Sequence, residues 1–231
     1  MISINNLSKE YNGVKVLDLE SIEIKRGESV GLVGNNGAGK TTLFSILLDL
    51  IQASSGEVRI NDINVQQSER WKDFTGSFLD ESFLIGYLTP EEYFYFIGEL
   101  HNLGKQDVDL FIAQFEEFFN GEVLNRNKYI RDMSKGNQKK VGIIGALIGN
   151  PELIILDEPF ANLDPSSQFR LKNLVRKLID EREVTIIISS HDLSHTVEIS
   201  DRIIALEKGK LIKDIQTSSE TLKELNSLFS V

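Results

Sequence analysis

Residues 34–42 read GNNGAGKTT, and this segment limits how the chain can fold more than any other. The apolar run SVGLVG leads into it, and a second apolar run, LFSILLDLI, begins directly after it. Its closely spaced glycines allow a tight turn, because glycine adopts backbone conformations that other residues avoid. The segment therefore predicts a strand that passes through a glycine-rich loop into a helix.

The spacing within this loop matches a phosphate-binding pattern. Gly34 is followed by four residues and then by Gly39, Lys40 and Thr41. In such a loop the backbone N–H groups surround phosphate oxygens, and the following helix adds its positive dipole end. Lys40 would contact the β- and γ-phosphates, and Thr41 would offer its hydroxyl to magnesium. The alternative is a glycine-rich turn with a helix cap at Thr41. The candidate nucleotide-binding residues of the loop are Gly34, Asn35, Asn36, Gly37, Ala38, Gly39, Lys40, Thr41 and Thr42.

The composition is that of a globular protein without cysteine chemistry. The 231 residues, 41% of them hydrophobic, allow a sizeable core, and the absence of cysteine excludes disulfides and a cysteine nucleophile. A net charge of −10 disfavours nucleic acid as the main partner. The N-terminus lacks the pattern of a signal peptide, so we expect an intracellular protein. No apolar run reaches the ~20 residues that span a bilayer, so any membrane role requires a partner.

Strand-like and helix-like patterns alternate along the chain. Short Ile- and Val-rich runs on either side of a helical pattern that opens at Pro165 predict a βαβ unit in a parallel sheet. The apolar residues of that pattern recur at roughly helical spacing, at Phe169, Leu171, Leu174, Leu178 and Ile179. Residues from about 85 to 148 are instead rich in aromatic and acidic residues with helical character, so we expect a helical subdomain inserted into an α/β core. The predicted strands lie within 2–7, 21–34, 56–65, 153–159 and 184–192, with a tight turn at 60–64, and the predicted helices lie within 89–103, 107–123, 165–183 and 218–231.

Three further polar residues follow the predicted parallel strands. Asp157 and Glu158 come directly after one strand, and His191 follows the other. Ligands of open α/β sheets bind where the carboxyl ends of parallel strands meet. Asp157 could hold magnesium through water, and Glu158 could orient an attacking water. The other readings remain open, since acids are common at strand ends and histidine also serves as a turn or cap residue.

Five motifs, in this order, resemble those of the nucleotide-binding subunit of an ATP-binding cassette (ABC) transporter: GNNGAGKTT, MSKGNQKK, LIILDEP, NLD and SSHD. The resemblance covers essentially the whole chain. Its distinguishing motif is MSKGNQKK, because phosphate loops and acidic strand ends occur in many NTPases. On its own, SKGNQ could be a polar helix start with Ser134 as the N-cap.

The resemblance implies one α/β domain over residues 1–231. We expect a P-loop NTPase core of mixed β-sheet with flanking helices and an antiparallel β subdomain, formed by about 1–84 and 149–231. The inserted helical subdomain would occupy about 85–148.

The resemblance also implies an ATPase that binds ATP with Mg²⁺ and powers a transporter. Two copies, or one copy and a related ATPase subunit, would pair head to tail and hold ATP between the phosphate loop of one and the MSKGNQKK segment of the other. A separate transmembrane permease would place the chain on the cytoplasmic face of the membrane. The implied catalytic residues are Lys40, Glu158 and His191; the metal ligands are Thr41, Asp80 and Asp157; Ser134 and Gly136 contact the partner's nucleotide, and Tyr11 stacks on adenine. Asp164 matches a segment that contacts the opposite subunit, although it could simply cap the helix at Pro165.

Two departures from the family pattern matter, the signature segment, which reads Met133, Ser134, Lys135, Gly136 and Asn137, and Asp80. Lys135 occupies the third position of a signature that is usually Leu-Ser-Gly-Gly-Gln, as in exporters of the two-component drug, lantibiotic or polysaccharide type, which favours export. Asp80 falls where a glutamine usually meets magnesium and the attacking water. The aspartate side chain is one methylene shorter than that of glutamine, and its ionised carboxylate cannot donate a hydrogen bond. Two other functions remain: a soluble ABC ATPase acting in a cellular assembly process such as iron–sulfur cluster biogenesis, and a nucleotide-binding regulator without turnover.

Overall fold

A single mixed β-sheet forms the frame of the computed structural model, which describes residues 1–182 and 184–229. The strand order across the sheet is β5-β4-β1-β2-β10-β9-β3-β8-β7-β6. The mixed α/β class predicted from the sequence is confirmed. The strands are β1 Ile2–Tyr11, β2 Val14–Ile24, β3 Ser29–Val33, β4 Ser55–Ile60, β5 Ile63–Asn64, β6 Thr75–Phe78, β7 Leu153–Leu156, β8 Thr185–Ser190, β9 Arg202–Glu207 and β10 Lys210–Gln216.

The parallel half of the sheet consists of β9, β3, β8, β7 and β6. Val33 at the end of β3 is paired with Ser190 at the end of β8, and Leu156 at the end of β7 is paired with Phe78 at the end of β6. Strands β3, β7 and β8 are buried along their whole length, as expected for parallel strands covered on both faces. Their carboxyl ends therefore meet at one edge, and the loops that follow them are neighbours.

The antiparallel half consists of β1, β2, β4 and β5. The predicted turn at 60–64 is confirmed: Asn61 and Asp62 both have positive φ, 46° and 62°, as a two-residue hairpin requires. Strand β10 joins the halves, because it pairs antiparallel with β9 and parallel with β2. The antiparallel strands are thus continuous with the parallel ones in one sheet.

Helices flank the sheet, and four of them, α2 to α5, lie in the chain segment that connects β6 to β7. No helix among the residues described has both the length and the apolar character to span a bilayer. Of the predicted helices, Glu183 at the end of one, and Ser230 and Val231 at the end of another, lie outside the described residues. The helices are α1 Lys40–Leu47, α2 Pro90–Leu100, α3 Lys105–Ala113, α4 Glu116–Phe119, α5 Lys135–Leu147, α6 Pro165–Arg182, α7 Leu193–Ile199 and α8 Thr221–Phe229.

Two details differ from the predicted helices. The pattern over 107–123 corresponds to two helices, α3 and α4, because the backbone leaves the helical region at Phe115, with φ −108° and ψ 14°. In α6, Phe169 is 64% exposed whereas Leu171 is fully buried. Positions two apart lie on opposite sides of a helix, so the two residues cannot share an apolar face.

Helix α5 packs closely on β6 because two glycines remove the side chains between them. A Cβ atom at Gly76 of β6 would lie 1.8 Å from the Ala146 carbonyl oxygen, and one at Gly142 of α5 would lie 2.1 Å from the Phe78 ring. Phe78 is itself buried, at 3% exposure. This contact fixes the distance between α5 and the end of β6.

We expect Gly142→Ala to destabilise the fold, although alanine favours helices over glycine by about 1 kcal/mol. The new methyl group would overlap the buried Phe78 ring, and overpacking costs about 1–3 kcal/mol. Denaturant unfolding measures the change. Gly145→Ala is the comparison on the same helix, because its Cβ would meet the partly buried Tyr93 ring at 2.7 Å and should cost less. An increase in stability for Gly142→Ala would contradict this packing.

Candidate nucleotide-binding site

The glycine-rich loop lies between β3 and α1, as predicted. A Cβ atom at Gly34 would lie 2.4 Å from the Leu206 carbonyl oxygen, so this position has no room for a side chain. Gly39 has a φ of 104°, the left-handed conformation that favours glycine. Ala38 N–H donates to the Asn35 carbonyl at 3.0 Å and closes the turn. The exposed tip of the loop consists of Asn35, Asn36 and Gly37, and Thr42 lies in the first turn of α1.

Lys40 is held beneath this loop. Its side chain is almost buried, at 7% exposure, and its Nζ donates to the Gly34 carbonyl oxygen at 2.6 Å. The same ammonium lies 3.7 Å from Glu158 Oε1. A fixed positive charge therefore stands between the loop and the carboxylate that follows β7, where it can attract an anionic group bound by the loop.

Thr41 and Asp157 meet across the site. Thr41 Oγ1 donates to Asp157 Oδ2 at 2.7 Å, and the Ser189 hydroxyl donates to Asp157 Oδ1. Asp157 is 5% exposed, and its backbone N–H donates to the Phe78 carbonyl at 2.9 Å, which places it at the end of β6 as well. The Asp157 carboxylate thus accepts hydrogen bonds from hydroxyl groups of two other elements, α1 and β8.

The Thr41–Asp157 pair has the chemistry of a magnesium site. A hydroxyl and a carboxylate are hard oxygen ligands, and Mg²⁺ in nucleotide sites is commonly held by one or two such groups with phosphate and water oxygens. Within residues 1–182 and 184–229, no three His, Cys, Asp or Glu side chains cluster as a metal site. The protein ligands present fit a metal ion that is bound mainly through a phosphate ligand.

Glu158 follows Asp157 in an unusual backbone conformation, with a φ of 47°. Residues with a side chain adopt this conformation at a cost, so it persists only where the surroundings hold it. The Glu158 N–H donates to Ser189 Oγ at 2.9 Å, and the Glu158 carbonyl accepts from Ala161 N–H at 3.2 Å and from Lys139 Nζ at 2.8 Å. This turn directs the carboxylate towards Lys40 and His191.

His191 lies just beyond β8 and contacts Glu158 directly. The distance between His191 Nδ1 and Glu158 Oε2 is 2.8 Å, and the imidazole is 60% exposed. The structure therefore brings together five residues proposed from the sequence for catalysis or metal binding: Lys40, Thr41, Asp157, Glu158 and His191.

Ser134 and Gly136 lie at the start of α5. Ser134 is the N-cap and accepts a hydrogen bond from Asn137 N–H at 3.3 Å. The prediction that Ser134 caps a helix is therefore correct. Ser134 is also exposed, so the N-terminus of α5 faces solvent. Among the residues described, neither Ser134 nor Gly136 has a hydrogen bond or ion pair to the phosphate loop of its own chain.

Tyr11 and Asp80 are exposed residues that do not bond to the five-residue cluster among the residues described. Tyr11 ends β1, is 48% exposed and has the Lys9 ammonium 4.7 Å from its ring centroid. Asp80 is exposed, and its carboxylate accepts from Ser82 N–H at 2.6 Å at the start of a short turn. In the part of the chain that the structure describes, neither makes a hydrogen bond or ion pair with the cluster.

Asp164 caps α6. Its carboxylate accepts from the hydroxyl groups of Ser166 and Ser167, both at 2.6 Å, and from the N–H groups of the same two residues, both at 3.0 Å. These bonds, those from the Ser166 and Ser167 hydroxyls most of all, hold the pKa of Asp164 well below its usual range. Asp164 therefore caps α6, as the capping alternative predicts. Its contact with an opposite subunit stays a prediction.

Two residues of the site carry no role in the sequence prediction. Ser189 forms hydrogen bonds with both Asp157 and Glu158. The sequence feature that could have identified it is its position at the end of a predicted buried strand. Lys139 binds the Glu158 carbonyl. Both lysines at 139–140 are buried in α5. No local sequence pattern signals this, because a lysine directly before an apolar run is ordinarily expected at the surface.

The fold and this site define a P-loop nucleotide-binding protein. Comparison with known proteins agrees, since the family profile described as "ABC transporter" matches residues 17–161. The bacitracin transport ATP-binding protein BcrA of Bacillus licheniformis is 33% identical over 218 residues, 93% of this chain and 69% of that protein. The probable sulfate/thiosulfate import ATP-binding protein CysA of Chlorella vulgaris is 32% identical over 218 residues, 92% of this chain and 89% of that protein.

A solved ATP-binding cassette has the same fold. It is described as a dimer in a post-hydrolysis state bound to ADP and Pi, and it matches with a TM-score of 0.84 and 24% identity over 95% of this chain and 100% of that one. The chain belongs to the ABC transporter family, as its ATP-binding subunit. Members of this family bind ATP, typically with Mg²⁺, and hydrolyse it.

We expect Asp164→Ala to lower the free energy of unfolding by about 1 kcal/mol at neutral pH, the usual cost of losing an N-cap. Since the pKa of Asp164 is lowered in the folded protein, the carboxylate stabilises the fold above its unfolded pKa of about 3.9, and this stabilisation is lost as the pH falls through the lowered value. Denaturant unfolding from about pH 7 to about pH 3 measures the difference. Asp164→Asn, which can still cap, should cost less at neutral pH. A difference that stays constant over this range would contradict the lowered pKa.

Proposed function

We propose that this chain hydrolyses ATP to power a membrane transporter, and that it acts as a head-to-tail dimer with a second copy or a related ATPase subunit. The observation that carries this proposal is the meeting of Lys40, Glu158 and His191 beside the Thr41–Asp157 hydrogen bond. Phosphate-loop chemistry alone would bind a nucleotide. A carboxylate and an imidazole beside the loop cation supply the groups that hydrolysis needs.

The residues have the following roles in this proposal. The loop amides and Lys40 bind the β- and γ-phosphates and stabilise the charge that develops on the transferred group. Thr41 and Asp157, with Asp80 as a third candidate ligand, hold Mg²⁺, which neutralises phosphate charge when bound. Glu158 orients or deprotonates the attacking water, and His191 steadies the γ-phosphate.

The second copy completes the site. The exposed start of α5 supports this role, because Ser134 and the N–H groups near Gly136 form a helix N-terminus that favours an anion. In the proposed dimer they contact the γ-phosphate bound to the other copy. Tyr11 stacks on adenine, and its exposure leaves the ring available. Asp164, in the NLD motif, faces the opposite subunit in this dimer.

A transmembrane permease is the proposed membrane partner, which would place the chain on the cytoplasmic face of the membrane. We take residues 1–231 as one ABC ATPase domain whose helical subdomain spans about 85–148. A surface cavity of about 250 Å³ supports docking, because Leu50 and Phe83 on its wall are 49% and 56% exposed. Tyr87, three residues after Leu84 of the cavity wall, is 72% exposed. Two other aromatics of this region, Phe78 and Phe94, belong to the core.

Export is the proposed direction. Its support is Lys135 in the signature segment, which is similar to that of drug, lantibiotic and polysaccharide exporters. The relative named for sulfate/thiosulfate import has comparable identity, so overall similarity does not distinguish the two directions.

We expect Glu158→Gln to keep ATP binding but to lower turnover by at least about 10²-fold, because the amide cannot accept the proton of the attacking water. Steady-state ATPase assays and ATP titrations measure the two quantities. Glu152→Gln is the matched control: it makes the same change at the other end of β7, where Glu152 pairs with Arg26 at 2.7 Å. Turnover close to normal for Glu158→Gln would show that another group acts as the base.

Affinity purification from gently solubilised membranes tests the transporter role. We expect the tagged protein to co-purify with a polytopic membrane protein, and we expect Phe83→Glu to lose that protein while ATP binding is unchanged. Leu110→Glu is the control, since Leu110 is also exposed, at 71%, but does not line the cavity. Recovery of soluble partners alone would favour an assembly ATPase instead.

A further inference from the structure

Lys139 is a buried cation in α5 with no role in the proposal above. It is 4% exposed, and its Nζ donates to the Glu158 carbonyl oxygen at 2.8 Å. The nearest carboxylate oxygen is Glu81 Oε1, at 3.7 Å, and the Phe78 ring centroid lies 5.8 Å away. Lysine is rarely buried unless its charge is paired or hydrogen-bonded. These contacts are therefore the ones that compensate Lys139 for the loss of water.

The hydrogen bond to Glu158 is the shortest of these contacts. Burial lowers the pKa of Lys139, and the charges of Glu81, Glu158 and Asp157, together with the contact to the Glu81 side chain, oppose that shift. At 3.7 Å the distance from Lys139 Nζ to Glu81 Oε1 is longer than that of an ordinary hydrogen bond, so Glu81 is the weaker of the two partners. A direct bond from an ammonium to a carbonyl is charge-assisted and stronger than a bond between neutral groups.

The acceptor of this bond is the peptide group of the proposed catalytic base. With a φ of 47°, Glu158 needs contacts that hold its backbone in place. Its carbonyl has two donors, the Ala161 N–H at 3.2 Å and Lys139 Nζ at 2.8 Å. Of the two, Lys139 is the charged donor and comes from a different element of the fold, so it fixes the turn relative to α5.

We propose that Lys139 is a positioning residue: its ammonium holds the Glu158 carbonyl, and thereby keeps the Glu158 carboxylate in place for the attacking water, without touching nucleotide. This inference rests on the proposed function, because it assigns Lys139 an effect through Glu158. The same helix starts at the Ser134 cap, five positions before Lys139. Lys139 therefore also joins the signature segment to the turn at Glu158.

The kinetic test compares two adjacent buried lysines. We expect Lys139→Met to lower kcat for ATP about 10- to 100-fold, the range for losing a hydrogen bond to a charged group, with KM changed by less than about 3-fold. Lys140→Met is the matched control, because Lys140 is 1% exposed but pairs with Glu122 at 3.2 Å, and it should change kcat by less than about 2-fold. Lys139→Arg keeps a charged donor and should recover most of kcat. Equal losses in kcat for the two Met variants, or no recovery with Arg, would overturn the proposal.

Folding is monitored by thermal melting and by direct ATP titration of each variant. We expect ATP affinity for Lys139→Met to stay within about 3-fold of the unaltered protein, since Lys139 does not contact the phosphate loop. Lys139→Gln, which keeps an N–H donor without the charge, carries the test if the Met variant does not fold, with an expected loss in kcat of about 10-fold. A kcat unchanged in Lys139→Gln would then overturn the proposal.

A double variant shows whether Lys139 acts through Glu158. Once Glu158→Gln has removed the base, adding Lys139→Met should change the residual turnover by less than about 2-fold, because both changes remove the same function. Losses that multiply would overturn the positioning role. If Glu158→Gln alone leaves turnover intact, the assignment of the base fails and this inference fails with it. If Glu158→Gln lowers turnover and Lys139→Met does not, only the positioning role fails.

Discussion

The hydrogen bond from Thr41 to Asp157 joins the two halves of the site, the helix after the glycine-rich loop and the acidic residues after β7. Thr41 lies in the first turn of α1, directly after the glycine-rich loop, whereas Asp157 follows β7. Strand β8 lies between β3 and β7 in the sheet. Ser189 at the end of β8 spans the gap by donating to Asp157. Parallel strands with their carboxyl ends on one edge make this arrangement possible with short loops. The geometry of the site therefore depends on the order of the strands in the sheet as well as on the glycine-rich loop.

Glu158 shows how the surrounding structure supports the candidate chemistry. Its left-handed backbone is costly for a residue with a side chain, and the structure holds it from three directions, through Ser189 of β8, Ala161 in its own loop and Lys139 of α5. The carboxylate then lies between Lys40 and His191. A base held in this way needs little reorganisation during reaction, which is the condition for electrostatic preorganisation.

The part of the site that could be predicted from the sequence depends on local patterns. The loop and the acids after β7 are recognisable because glycine spacing and buried strands leave short, contiguous signals. Strand β6 was not predicted, because TGSF has Gly76 and Ser77 in its middle and shows no apolar alternation. The contact of Lys139 with Glu158 joins residues 19 positions apart through helix packing. No sequence period encodes it, and a lysine beside an apolar run would ordinarily be expected at the surface.

In the proposed dimer, the phosphate loop of one copy and the α5 N-terminus of another form one ATP site. A structure of Glu158→Gln with ATP and Mg²⁺ tests it most directly, because the variant should bind without turnover. In that structure we expect the ATP phosphates on the loop amides and Lys40, Mg²⁺ at Thr41 and Asp157, and Ser134 of a second copy within about 3 Å of the γ-phosphate. ATP bound to a single copy with Ser134 facing solvent, or phosphates away from Lys40, would contradict it.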